Sequence, residues 1–235
     1  LQLGGSMRKK LFSIVVASSS IFLLACTQEA TPTISENSAA KTVEPPPEPV
    51  KPAALQKFDG PFGLRMGLTD VEVKKYISDL QPSEKPGGFD ASTVPTPHPS
   101  FESYSFQFSE KSGLCSITGI GRDIESSDTG AEVKAAFSSL DEALTAKYGV
   151  GKKYDFSNQR YDSPEFWMLH LLKKNRTLAK FWDREEKSNL PESIRTIALQ
   201  AHASGISKAF INIRYEFSNI DDCIAERKNK INKAL

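Results

Sequence analysis

Residues 58–235 predict an α+β domain, a single globular unit in which antiparallel sheet packs against helices. Three observations lead there. Apolar and polar side chains alternate along 195–203, through Ile197, Leu199 and Ala201, and most clearly along 209–217, which is the pattern of strands buried on one face. Two Ser/Thr-x-x-Glu patterns each open a stretch whose apolar residues recur with helical spacing. Helices and hairpins follow one another in an order that suits neighbouring antiparallel strands, with two helix-plus-hairpin halves as one available plan.

The elements follow in chain order. Thr69-Asp70-Val71-Glu72 is a capping-box pattern, after which Val73, Tyr76, Ile77 and Leu80 fall on one face of a predicted helix. Tyr104, Phe106 and Phe108, the turn residues Glu110-Lys111-Ser112-Gly113, then Cys115 and Ile117 predict a hairpin. Thr129-Gly130-Ala131-Glu132 opens a second helix with Val133, Phe137, Leu140 and Leu144 on its apolar stripe and Gly149 as its stop. Ser163-Pro164 predicts another start before Phe166, Trp167, Leu169 and Leu171, and a strand surrounds Phe181 and Trp182. Ile197, Leu199 and Ala201 face one way in the next strand, which Ser204-Gly205 turns into its neighbour. There Ile211, Ile213, Tyr215 and Phe217 alternate with Asn212, Arg214 and Glu216. The last helix begins near Asn219 and points Cys223, Ile224 and Ile231 inward.

The N-terminus reads as an address. Met7 is followed by the basic residues Arg8, Lys9 and Lys10 and by an uncharged apolar run from Leu11 to Ala25. The run falls short of the roughly twenty apolar residues needed to span a bilayer and reads as a signal-peptide core over 7–25. Residues 1–6 read as upstream of the start or as non-native. Leu23-Leu24-Ala25-Cys26 resembles the lipobox of bacterial lipoproteins. The resemblance implies cleavage after Ala25, diacylglyceryl and further acyl chains (palmitate) on Cys26, and an anchor strong enough for stable membrane retention. It also implies a periplasm-facing protein, and Thr27 in place of Asp after the cysteine favours the outer membrane in an envelope that has two.

Residues 26–57 carry little to bury and end in Glu44-Pro45-Pro46-Pro47-Glu48-Pro49, so they predict a disordered tether. At about 3.1 Å per residue it reaches up to ~90 Å. The whole chain has 30 basic and 29 acidic side chains, which argues against nucleic acid as a partner because no net field attracts phosphate.

At the start of the domain, Phe62-Gly63-Leu64-Arg65-Met66-Gly67-Leu68-Thr69 is similar to the strand-turn-helix opening of small envelope lipoproteins. The small lipoprotein of the outer-membrane β-barrel assembly machinery has such an opening. The similarity spans about a dozen residues and carries over no partner and no binding residue.

Beyond Cys26 the sequence holds Cys115 and Cys223. In an oxidising compartment they can pair, closing a long loop worth about 4 to 5 kcal/mol in the chain-entropy model, or stay two buried thiols.

Signals for chemistry are few. His98, His170 and His202 fall on different predicted elements, and none has metal-ligand spacing to another His or Cys. No nucleophile elbow, phosphate loop or zinc pair is present, so no cofactor and no metal is expected. Asp221-Asp222 suits the first turn of a helix without any catalytic role. Arg160, Tyr161, Trp167 and Trp182, near Arg176 and Arg184, form the candidate binding surface. The expected function is a non-catalytic, lipid-anchored envelope domain that binds or scaffolds another protein or cell-wall component. The alternatives are a periplasmic inhibitor or immunity lipoprotein and, third, a hydrolase of unrecognised type.

Overall fold

The structure, a computed structural model, describes residues 58–158, 163–184 and 188–233. Its first helix, α1 (Asp70–Val73), is capped by the predicted box: Thr69 Oγ1 accepts from the Glu72 N–H at 3.2 Å, and the Glu72 carboxylate accepts from the Thr69 N–H at 2.8 Å. The helix is shorter than predicted. The N–H groups of Lys75 and Tyr76 bond three residues back, to Glu72 and Val73, which tightens the chain into turns. Val73, Ile77 and Leu80 are buried all the same, so their apolar spacing marks the core contact rather than a long helix.

Strands β1 (Gln81–Pro82), β2 (Gly88–Ala91), β3 (Phe101–Ser109), β4 (Gly113–Gly121) and β5 (Ile124–Glu125) precede helix α2 (Ala131–Tyr148). Then come β6 (Lys152–Ser157), a 3-10 turn at Pro164–Phe166, α3 (Trp167–Leu172), β7 (Arg176–Asp183), β8 (Ile194–Ala203), β9 (Lys208–Phe217) and α4 (Ile220–Asn232). The strands form one antiparallel sheet in the order β1-β2-β3-β4-β9-β8-β7-β6, with β5 beside β9. Each side of the sheet, β1–β4 and β6–β9, is introduced by a helix, and the two sides join where β4 pairs with β9. Both hairpins lie where the alternation puts them, and the N–H groups of Ser204 and Gly205 close the second onto the Lys208 carbonyl.

Helices α2 and α3 cover one face of the sheet. Val133, Phe137 and Leu144 of α2 and Trp167, Met168 and Leu171 of α3 pack with Phe106, Ile117, Leu199, Ile211 and Ile213 in the main core. The second predicted capping box does not form. Gly130 holds the N-cap at φ +70, and a Cβ there would stand 2.0 Å from the Trp167 ring, so the close approach of the indole requires glycine. Glu132 reaches back instead to the Ser127 N–H at 2.9 Å and the Ser126 hydroxyl at 2.9 Å.

Helix α4 belongs to the other face. Between Gln107↔Ser116 and Phe108↔Leu114 the register slips by one residue, leaving Cys115 as the extra residue of a bulge. Cys115 there joins Ile220 and Cys223 in a cluster separate from the main core, and a disulfide links Cys115 to Cys223. The expected inward face of α4 is corrected at two positions. Ile224 and Ile231 are 45% and 53% exposed, because the apolar seat of the helix is confined to Ile220 and Cys223 in its first turn.

Two buttressed carboxylates make stability sensitive to acid. Burial works to raise the Asp79 carboxyl, but hydrogen bonds from the Ser92 hydroxyl, the Thr93 hydroxyl and the Ser92 N–H outweigh it and hold the group at about 2. The Ser127 N–H and the neighbouring hydroxyls hold Glu132 at about 2 as well. Both folded values lie below the unfolded ones, so this stabilisation is present above about pH 4.5 and is lost as pH falls towards 2. Urea midpoints measured from pH 7 to pH 2 are expected to fall in that acid window. An Asp79→Asn, Glu132→Gln double variant is expected to start lower and show a flatter acid limb; an unchanged acid limb would refute the assignment.

Candidate binding face of the sheet

Strand alternation decides which side chains meet the helices and which do not. Register places Ser103, Ser105 and Gln107 of β3, Thr118 and Ile120 of β4, Asn212, Arg214 and Glu216 of β9, and Thr196, Ala198 and Gln200 of β8 on the face turned away from α2 and α3. On β7 and β6 the same face carries Phe181, Asp183, Lys152, Tyr154 and Phe156. Most of these side chains are half-buried. Helix α4 lies over one end of this face, where Ser116 is buried and where Asp183, Thr196 and Glu216 meet the first turn of the helix.

Aromatic side chains occupy two places on this face. Tyr154 meets Phe181 edge to face at 5.6 Å, with Lys152 5.4 Å from the Tyr154 ring, and beside them Phe156 is 54% exposed. His202 stacks on Phe210 at 5.4 Å. The charges between these patches are internally matched: Arg214 pairs with Glu216 at 3.0 Å, and the Thr196 hydroxyl donates to Asp183 at 2.7 Å. Under the first turn of α4 lies a cavity of about 640 Å³ whose charges are likewise engaged, Arg195 with Asp221 at 2.7 Å among them. Asp222 sits beside Asp221 in that first turn.

Two residues of the expected binding surface are corrected by burial. Trp167 and Trp182 are 2% and 0% exposed and belong to the core. Trp182 Nε1 donates to the Gly149 carbonyl at 2.8 Å, while Lys134 and Arg176 flank the Trp167 ring. Arg184 is a staple, its guanidinium donating to the carbonyls of Pro191, Glu192 and Ile194. Arg160 and Tyr161 lie outside the described residues, as does Cys26. What the sequence reading missed is β6: Lys152-Lys153-Tyr154-Asp155-Phe156-Ser157 alternates weakly and is polar on both sides, as an edge strand can be. Its Tyr154 and Phe156 supply the accessible aromatics that the tryptophans do not.

The three histidines stay apart. His98 accepts from the Ser100 N–H at 3.2 Å beside Phe101, His170 is on α3, and His202 is on β8. Among the described residues no group of three or more His, Cys, Asp or Glu is placed to hold a metal ion, and no helix is long and apolar enough to cross a membrane. What the face offers is half-exposed aromatic rings, amides and one arginine, residue types that protein interfaces use. Compared with protein-family models, curated proteins and solved structures, the chain matches none.

Proposed function

We propose that the chain is a lipid-anchored protein of the cell envelope whose α+β domain binds a protein partner on the uncovered face of its sheet. The observation that carries the binding reading is the half-exposed array of Tyr154, Phe156, Phe181, Phe210, His202 and Arg214 on a face that α2 and α3 leave free. Residue types of this kind dominate the energetic centres of protein interfaces. The anchor rests on the lipobox-like Leu23-Leu24-Ala25-Cys26, and the proline-rich tether lets the domain search for a partner away from the membrane.

A photoreactive residue at Phe156 tests the face, with one at Glu142 on the exposed side of α2 as control. Discrete crosslinked species are expected from position 156 and not from 142, in the membrane fraction of cells carrying the native Cys26. Cys26→Ala is expected to move the protein out of that fraction. Phe156→Asp is expected to abolish the crosslinks obtained from a probe at Tyr154 while changing unfolding free energy by less than about 0.5 kcal/mol, as exposed substitutions do. Equal crosslinking from 142 and 156 would refute the face, and membrane retention of the Cys26→Ala protein would refute the anchor.

A further inference from the structure

Strands β7 and β8 part before their ends. Their ladder runs from Asp183↔Thr196 to Ala179↔Gln200 and stops. Yet β7 stays beside β6 back to Arg176↔Ser157, and β8 stays beside β9 out to Ala203↔Ala209. A cleft of about 300 Å³ opens between the parted strands, lined by Arg176 and Thr177 on one side, Gln200 and His202 on the other, and Lys174 at its rim.

The cleft is cationic. Among the described residues no acidic side chain lines it. The Arg176 guanidinium is engaged by Asp155 of β6 at 2.9 Å, whereas among the described residues Lys174 has no carboxylate within ion-pair distance. His202 faces Lys174 across the cleft and Phe210 of β9 at its back, and Lys208 of β9 is taken up by Glu125. Burial, and then the Lys174 charge, hold the His202 ring below the usual histidine range.

The backbone at Lys174 gives an independent reason to look here. Lys174 closes α3 in the left-handed region, φ +58, with its N–H on the Leu171 carbonyl and the Asn175 N–H on the His170 carbonyl. Glycine is the usual residue at this point of a helix end because any side chain is strained there. The chain instead holds a long cation over the cleft.

We infer that the cleft between β7 and β8 is a carboxylate-binding site, with Lys174 as counter-charge and Thr177, Gln200 and His202 as hydrogen-bonding partners. The ligand is a small carboxylic acid or the C-terminal carboxylate of a peptide, for which the edge of 201–203 offers a short extended track. An anion beside His202 offsets the Lys174 charge and favours the imidazolium, which then donates to it.

The sequence has three histidines, so their Cε1–H NMR signals form a simple readout for the full chain in detergent micelles, with His202→Gln assigning the signal. Acetate, trialanine and trialanine amide are titrated in phosphate-free buffer at pH 7. Saturable movement of the His202 signal by the acids but not the amide is expected, with its titration midpoint raised. Trialanine stronger than acetate assigns a peptide C-terminus, and equal strength assigns a free small acid. Lys174→Gln is expected to weaken binding about tenfold. Lys174→Gly is expected to weaken it equally while raising Tm by about 2 °C, since glycine carries the left-handed backbone without strain. The site is overturned if the His202 signal does not saturate, if the amide matches the acid, or if Lys174→Gln binds unchanged.

Discussion

Cys223→Ser is expected to lower the unfolding free energy by about 4 kcal/mol and Tm by on the order of 10 °C. The bridge spans a sequence separation of 108, and a loop of that length removes about 4.7 kcal/mol of denatured-state entropy in the chain-entropy model, with losses of 2–5 kcal/mol typical when a native bridge is removed. The loss should concentrate in α4, whose buried apolar seat is Ile220 and Cys223 against Cys115. What would still hold the helix is polar: Glu226 accepts from the Ser109 hydroxyl at 2.7 Å and the Glu110 N–H at 2.8 Å, and Asn219 Nδ2 donates to the Ser112 carbonyl at 2.8 Å. Both sulfurs are buried, so mild reductant should act only after the helix lifts. Hydrogen exchange of residues 220–232, with thermal unfolding of the variant, checks this. Unchanged Tm in the variant would show that the polar staples alone seat α4.

Segments with strong periodicity were legible in the sequence. Ile197 to Ala201 and Ile211 to Phe217 alternate because one face is core and the other is open, and α2 shows its stripe because it lies flat on that core. The failures have physical causes. Thr129 and Glu132 satisfy the capping-box pattern, but the Trp167 ring forces Gly130 into the cap. The α4 pattern promises Ile224 and Ile231 to the interior, yet an apolar residue is buried only where another surface is present, and the apolar seat of α4 is confined to Ile220 and Cys223. The candidate site was the least legible part. Trp182 sits on the inward side of β7, where Leu178, Lys180 and Trp182 alternate, while Phe181 faces out. The neighbouring arginines gave the tryptophans the look of an interface when they were the walls of a core. The parting of β7 from β8 depends on where two ladders stop, which no local pattern records.

Lys180 lies on that inward side and is 8% exposed, so a buried cation must be neutralised by something on α2. Asp141 does so. Its carboxylate takes the Lys180 ammonium and the Thr145 hydroxyl, the latter at 2.9 Å, while Thr145 Oγ1 accepts from Lys180 at 3.1 Å. The Trp182 ring lies 5.2 Å from the ammonium. Asp141→Leu removes the counter-charge and leaves the ammonium with one hydroxyl, so it is expected to cost about 3–5 kcal/mol. Lys180→Met in the same chain removes the stranded charge, and the double variant should return to within about 1 kcal/mol of the parent or exceed it. A double-mutant cycle by urea unfolding reads the difference as a coupling energy. A single Asp141→Leu cost below about 1 kcal/mol would mean that water reaches the ammonium and that the pair is in effect a surface one. If the double variant is stable yet its Trp182 indole signal broadens or splits, the pair contributes register rather than stability, since apolar side chains let α2 slide where a single acceptor for Lys180 does not.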